Sequence, residues 1–230
     1  MSSPHIVLLD NHDSFVYNLV DALAGFDTTV FRNTVAVHDV LRAQPDIIVL
    51  SPGPGHPRDA GCMMELIDAT LGTIPILGVC LGFQALLEHH GGAVEPCGPV
   101  HGKSVPMTLT EAGVMHPVFQ GLATDTEPDQ PGHLGTQVPV ARYHSLGCTD
   151  LPRGMRCLAR TPTDIGEVAM APRRMTVAPS ASSSTPSPSS RPAAPSCLSV
   201  ALTNYLCTPL WIRRTKNEPP PPAYLASLPE

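Results

Sequence analysis

The chain has 230 residues, of which 42% are hydrophobic but only 4% aromatic, and a formal net charge of −6. That suffices for one ordinary domain with an aliphatic core plus an appendage, and no apolar run reaches the roughly 18 residues of a membrane-spanning helix. With no charged-then-apolar leader, a soluble, unexported, cytoplasmic protein is expected.

Seven scattered cysteines without a CxxC pair point to reduced thiols, and no His/Cys/Asp spacing suggests a metal site. The charge is split: residues 1–170 carry −10 and residues 171–230 carry +4. The basic charges of the second segment are dispersed among Pro and Ser, so no nucleic-acid partner is expected.

Ile6-Val7-Leu8-Leu9 reads as a buried strand ending at Asp10. Asp13 or Ser14 is placed to cap a helix in which Val16, Leu19, Val20 and Leu23 recur at helical spacing, with Gly25 closing it. Thr29–Phe31 is a second strand, Val37–Ala43 a short helix stopping near Pro45, and Asp46–Leu50 a third strand. After the loop Ser51–Pro57 come a helix over Cys62–Leu71, a strand over Pro75–Val79, and a helix from Leu81 to His89. Alternating strands and helices at these spacings predict βαβ units and an α/β fold with a doubly wound, mostly parallel sheet.

From Ala93 to Ala171 the pattern turns strand-rich, with candidates Ser104–Leu109, Val138–Tyr143, Arg156–Arg160 and Glu167–Ala171; Thr124–Gly135 reads as a surface loop. At Pro172 the composition changes. Residues 171–230 hold 12 Pro, 10 Ser and no His, a composition expected to stay disordered or poorly folded. Leu198–Leu210 is the only stretch there that could form a local element. The expected organisation is a domain over 1–171 and a low-complexity tail over 172–230.

Chemistry concentrates at Gly78-Val79-Cys80-Leu81-Gly82-Phe83-Gln84. A lone cysteine is ordinarily a small buried hydrophobe. Here it stands between a buried strand and a helix, flanked by small residues, which is the pattern of a nucleophile elbow. Such a turn holds the sulfur clear of the backbone and aims the following amides at an oxyanion on the attacked carbonyl. A helix start also favours thiolate over thiol. Ser51-Pro52-Gly53-Pro54-Gly55-His56-Pro57 follows another strand, where open α/β sheets bind ligands. Alone it is an ordinary Pro/Gly turn; together the two loops make a crevice. His89 and His90 end a helix, where the dipole favours cationic side chains.

Five motifs occur in order: Asp10-Asn11-His12-Asp13-Ser14-Phe15-Val16-Tyr17-Asn18, Ser51–Pro57, the Cys80 elbow, His101-Gly102-Lys103, and Arg142-Tyr143-His144-Ser145-Leu146. Together, over residues 5 to about 170, they resemble the glutaminase components of anthranilate synthase and aminodeoxychorismate synthase, which are class I glutamine amidotransferases of flavodoxin-like fold. The resemblance implies that Cys80 attacks the side-chain amide of glutamine, giving a γ-glutamyl thioester, ammonia and then glutamate. It implies that Gly53, Gly55 and the Leu81 amide stabilise the oxyanion, while Gln84 and the Ser145-Leu146 backbone hold glutamine. Ammonia would pass to a chorismate-using synthase subunit in a hetero-oligomer, with no cofactor. His144 lies in the substrate motif and is not cast as the base.

The family takes its base and the base's orienter from a late His-Pro-Glu. Here the last histidine is His144, and no His-Pro-Glu occurs. Ser183–Pro192 suggests why. Let the first two bases of each codon be the last two of a shifted triplet, with AG for Ser183 and Ser187 and TC for the other serines. The ten triplets can then spell Gln-Phe-His-Pro-Glu-Ser-Ile-Leu-Thr-Pro, and Met175-Thr176 reads as His-Asp in the same frame. The expectation is a one-base frameshift from about residue 172, with the family histidine straddling the Ser184/Thr185 codons and the glutamate the Pro186/Ser187 codons. Weak folding and no appreciable glutaminase activity follow for the chain as written. A natural Pro/Ser-rich tail is the plain alternative, and a non-catalytic subunit that docks to the synthase is the second functional reading. An unrelated elbow-cysteine hydrolase is the third, and the Gly53–Gly55 and Arg142–Leu146 motifs argue against it.

Overall fold

A computed structural model of the chain describes residues 3–126 and 134–174. Most of the expected tail, including Leu198–Leu210 and the shifted-frame segment, lies outside the described residues, as does the middle of the Thr124–Gly135 loop. The first half contains β1 (His5–Asp10), α1 (Val16–Ala22), β2 (Asp27–Arg32), α2 (Val37–Arg42), β3 (Ile47–Leu50), α3 (Met63–Thr70), β4 (Ile76–Gly78) and α4 (Leu81–His89). These strands form one parallel sheet in the order β2-β1-β3-β4.

Strand alternation sends side chains to two cores. Ile6, Leu8, Ile47, Val49 and Val79 pack with Val16 and Leu19 of α1 and with Leu23. Val7, Leu9, Ile48 and Leu50 meet Val37 and Val40 of α2, Met63, Leu66 and Ile67 of α3, and Leu81 and Ala85 of α4. Helices thus cover both faces, as the βαβ spacing predicts. The connections leaving β1 (to β2) and β3 (to β4) run outward in opposite directions, so the crevice of a doubly wound sheet opens past the C-terminal ends of β1 and β3.

One detail differs from the sequence reading. Neither Asp13 nor Ser14 is the N-cap of α1; Phe15 is, in helical conformation and without a side-chain cap. The Asp13 carboxylate instead accepts from the Phe15 amide at 2.7 Å, fixing the turn that enters the helix.

Beyond α4 lie β5 (Glu95–Pro96), β6 (Lys103–Leu109), α5 (Glu111–Val114), β7 (Gln137–Arg142), β8 (Leu146–Gly147), β9 (Met155–Cys157), β10 (Ala159–Thr163), β11 (Gly166–Ala169) and β12 (Pro172–Arg174). An antiparallel sheet runs β11-β10-β6-β7, with β5–β8 and β9–β12 as short ribbons. Its core is Met107, Leu109, Phe119, Val138, Val140, Leu158 and Ala159. The expected strand Arg156–Arg160 is two strands, because Leu158 turns aside: its amide donates to the Ala171 carbonyl at 2.8 Å and its carbonyl accepts from the Thr110 amide at 2.9 Å.

The parallel sheet and α4 meet almost backbone to backbone. A Cβ on Gly78 would lie 2.5 Å from the Gly82 carbonyl, and a Cβ on Gly82 would collide with Leu50. Gly82→Ala must therefore push α4 off β3, and overpacking of this kind costs about 1–3 kcal/mol. Chemical denaturation should show that loss, whereas Gly25→Ala, where an added methyl meets nothing within 4 Å, should change stability far less.

Candidate active site

Cys80 sits between β4 and α4 with φ 50° and ψ −104°. This conformation is sparsely populated for a side-chain-bearing residue and costs on the order of 1–3 kcal/mol. The contacts through Gly78 and Gly82 leave the chain no roomier path, so the turn is held by packing. Cys80 is the N-cap of α4; its carbonyl accepts from the Gln84 amide at 2.9 Å, and the Leu81 amide favours the charged form of its sulfur. Sulfur and helix N-terminus are thus together, as the elbow pattern predicts.

The loop after β3 is tied to the loop after β1 by a buried polar network. The Asn11 amide donates to Ser51 Oγ at 2.8 Å, and Asn11 Nδ2 donates to the Ser51 carbonyl at 2.9 Å. Asn33 Nδ2 donates to Asn11 Oδ1 at 3.2 Å. Three buried amide and hydroxyl side chains satisfy one another, which is the condition for burying them at all. The network sets Gly53 so close that an added Cβ would lie 2.6 Å from Asn11 Cβ and 2.7 Å from Leu81 Cδ2. Gly53 and Leu81 are therefore neighbours. Gly55 faces open space with φ 80°.

A second clamp holds this loop to the elbow helix. Glu88 of α4, its side chain only 9% exposed, pairs with Arg58 Nε at 2.5 Å, and His56 Nδ1 lies 3.7 Å from its other oxygen. Asn11 lies inside the first of the five motifs without a role of its own, and Glu88 lies outside them all. Asn11 carries the weak signal of a polar residue at a buried strand's end; Glu88 carries none. At the far end of α4, His90 Nδ1 bonds the Leu86 carbonyl at 2.7 Å and His89 pairs with Asp68 at 2.5 Å.

Gln84, buried one turn beyond Cys80, donates from Nε2 to the Leu146 carbonyl at 3.0 Å. The same carbonyl takes a hydrogen bond from His144 Nδ1 at 2.8 Å, and the Ser145 carbonyl accepts from the Cys97 amide at 2.8 Å. The Leu146 carbonyl can only accept, so His144 carries its proton on Nδ1. Burial, and then the nearby Arg142 charge, lower the pKa of His144 and keep the ring neutral. Tyr143 lies between Phe15, tilted against it, and His101, edge-on to it, each ring centroid 5.2 Å away. All five sequence motifs thus meet at one end of the parallel sheet.

The sulfur itself is not activated. Burial, with Asp13 adding to it against the Leu81 amide, pushes the Cys80 thiol up to about 11. No histidine acts on it among the described residues. Nor does any group of three or more His, Cys, Asp or Glu side chains converge there as metal ligands would.

The family described as glutamine amidotransferase class-I matches residues 7–178. Over 171 residues the chain is 63% identical to anthranilate synthase component 2 of Corynebacterium glutamicum, covering 74% of this chain and 82% of that one. It is 44% identical over 176 residues to the pyocyanine-specific anthranilate synthase component 2 of Pseudomonas aeruginosa, covering 74% and 79%. A crystal structure of a GMP synthase component from Thermoplasma acidophilum superimposes with a TM-score of 0.58 at 20% identity, covering 76% and 80% of the two chains, and so shares the fold.

A thiol at about 11 leaves about one thiolate in ten thousand at pH 7. Iodoacetamide modification of Cys80, followed by peptide mass mapping, should therefore accelerate tenfold per pH unit up to about 11. A plateau reached near pH 8 would contradict the raised Cys80 thiol.

Proposed function

Because the chain belongs to the class I glutamine amidotransferase family, we propose that it is the glutamine-hydrolysing subunit of an anthranilate synthase, serving tryptophan biosynthesis. The observation that carries the reading is the strained Cys80 at the start of α4, next to Leu81, which packs against Gly53, and one turn from the Gln84–Leu146 bond. The names of the relatives, 63% and 44% identical, support the anthranilate branch over aminodeoxychorismate synthesis.

In this reading the Cys80 sulfur attacks the side-chain carbonyl carbon of glutamine. The C–N bond breaks, the nitrogen leaves as ammonia with the thiol's proton, and a γ-glutamyl thioester remains. Water then cleaves the thioester to glutamate and restores the thiol. The Leu81 amide and the Gly53–Gly55 loop stabilise the oxyanion in both steps. Gln84 and the Ser145-Leu146 backbone hold the amino-acid end of glutamine, and ammonia passes to a chorismate-using partner subunit. No cofactor is needed. No helix among the described residues is long and apolar enough to cross a membrane, and the proposed place of work is the cytoplasm.

Moving the proton requires a base beside the sulfur. The thiol held at about 11 fits a site lacking one, and we propose that the base was lost by the one-base frameshift near residue 172, which ends the domain at about 171 and leaves 172–230 as an out-of-frame tail. The architecture supports this. Ile76, Leu77 and Gly78 of β4 are only half-buried and β4 is an edge strand among the described residues, while β3 beside it and most of β1 beyond are buried. A parallel sheet is normally covered, and the strand carrying His-Pro-Glu in this family sits beside the elbow. The same lack of a base favours one second reading, a subunit that binds the synthase without making ammonia; retention of the synthase on the immobilised full chain, with no glutamate formed, would distinguish it.

Restoring the shifted frame by a single-base change near codon 172 should raise glutaminase activity of the purified chain by about 10²–10⁴-fold, the usual worth of a placed base. Equal activity before and after the change, or coding DNA at 182–192 that cannot spell His-Pro-Glu, would overturn the frameshift.

A further inference from the structure

Arg142 is the only cationic side chain among the buried residues described, 5% exposed, and it forms no ion pair with a carboxylate there. A buried guanidinium without a counter-charge is costly, so its hydrogen bonds must matter to the fold around it. Nη2 donates to the Cys97 carbonyl at 3.2 Å and to Cys97 Sγ at 3.1 Å, with the Gly98 carbonyl at 3.5 Å. Nε has no partner among the described residues. All of the bonding is therefore aimed at one turn, Cys97–Gly98.

That turn leads directly to the substrate side. The Cys97 amide donates to the Ser145 carbonyl at 2.8 Å. Next to it, β5 pairs with β8 through Glu95 opposite Gly147 and Pro96 opposite Leu146. With Cys97 bonded to Ser145, Pro96 and Leu146 form a non-hydrogen-bonded pair of this antiparallel ribbon, so the Leu146 carbonyl faces away from β5. Side chains reach it there: Gln84 Nε2 and His144 Nδ1 both donate to the Leu146 carbonyl, at 3.0 and 2.8 Å. The Ser145-Leu146 backbone is thus held by three bonds, and two of them trace to residues with no assigned part in the chemistry.

We propose that Arg142 and His144 are positioning residues for glutamine. Arg142 fixes the Cys97–Gly98 turn, whose amide holds Ser145; His144 holds Leu146 against Gln84. Neither touches the substrate, and neither moves a proton in the reaction. The inference rests on the reading that Gln84 and Ser145-Leu146 hold glutamine. It assigns the affinity for glutamine partly to a guanidinium buried behind the site.

The test is calorimetric titration of glutamine into the full chain and three variants, with a thermal melt of each. His144→Ala removes one neutral hydrogen bond and should weaken glutamine binding by about 2–10-fold. His144→Asn keeps an N–H donor near the Nδ1 position and should recover most of that loss, which a purely structural role would not require. Arg142→Lys keeps the charge but loses the fork and should weaken binding about tenfold. It should also speed amide hydrogen exchange at 143–147 while leaving β1 and β3 protected. Unchanged glutamine affinity in folded His144→Ala and Arg142→Lys, or His144→Asn as weak as His144→Ala, would overturn the inference alone. Should Arg142→Lys not fold, the His144 pair decides. A parent chain that binds no glutamine would overturn the reading of the site, and this inference with it.

Discussion

The structure depends on how closely α4 is allowed to approach the parallel sheet. Gly78 and Gly82 face each other with no room for a methyl, and Gly82 lies directly against Leu50. Once the helix is that near, the residue joining β4 to α4 must turn within a single position, and Cys80 takes φ 50° and ψ −104° to do so. The strain is local while the packing that imposes it is spread across Leu50, Leu81 and Ala85. The sulfur is therefore presented at a helix N-terminus without any contact of its own having to hold it there.

Everything else at this end of the sheet fixes neighbours relative to that sulfur. Asn11, Asn33 and Ser51 place the Gly53 loop from one side; Glu88, through Arg58, ties the same loop to α4 from the other. Gln84, on the buried side of α4, reaches across to Leu146. Placement is thus complete while activation is not, because burial holds the Cys80 thiol at about 11. In the proposed reading, oxyanion stabilisation and glutamine binding rest on backbone groups within residues 5 to 170. Proton transfer needs one titratable side chain at one place, and under the proposed frameshift that is the part lost.

Much of this was legible in the sequence, for a local reason. Ile6–Leu9, Asp46–Leu50 and Pro75–Val79 read as strands because the strands of a parallel sheet run as near-continuous aliphatic stretches. The elbow was legible because Gly-x-Cys-x-Gly between strand and helix is a local steric statement, and α4 was read to its observed ends. The misses are long-range. Phe15 replaced Asp13 as the N-cap because the carboxylate serves the preceding turn. The ribbon β5–β8 has two residues per strand and no periodicity to read. Arg142 lay inside a quoted motif, yet its partner Cys97 is 45 residues away, and only the fold brings them together.

The most direct test of the account is covalent labelling of the full chain with a chloroketone analogue of glutamine, with the site identified by peptide mass mapping. The account predicts a single adduct on Cys80, slow at pH 7, faster as the pH approaches 11, and suppressed by excess glutamine. Labelling spread over the other cysteines, or an adduct on Cys80 that glutamine does not suppress, would contradict it.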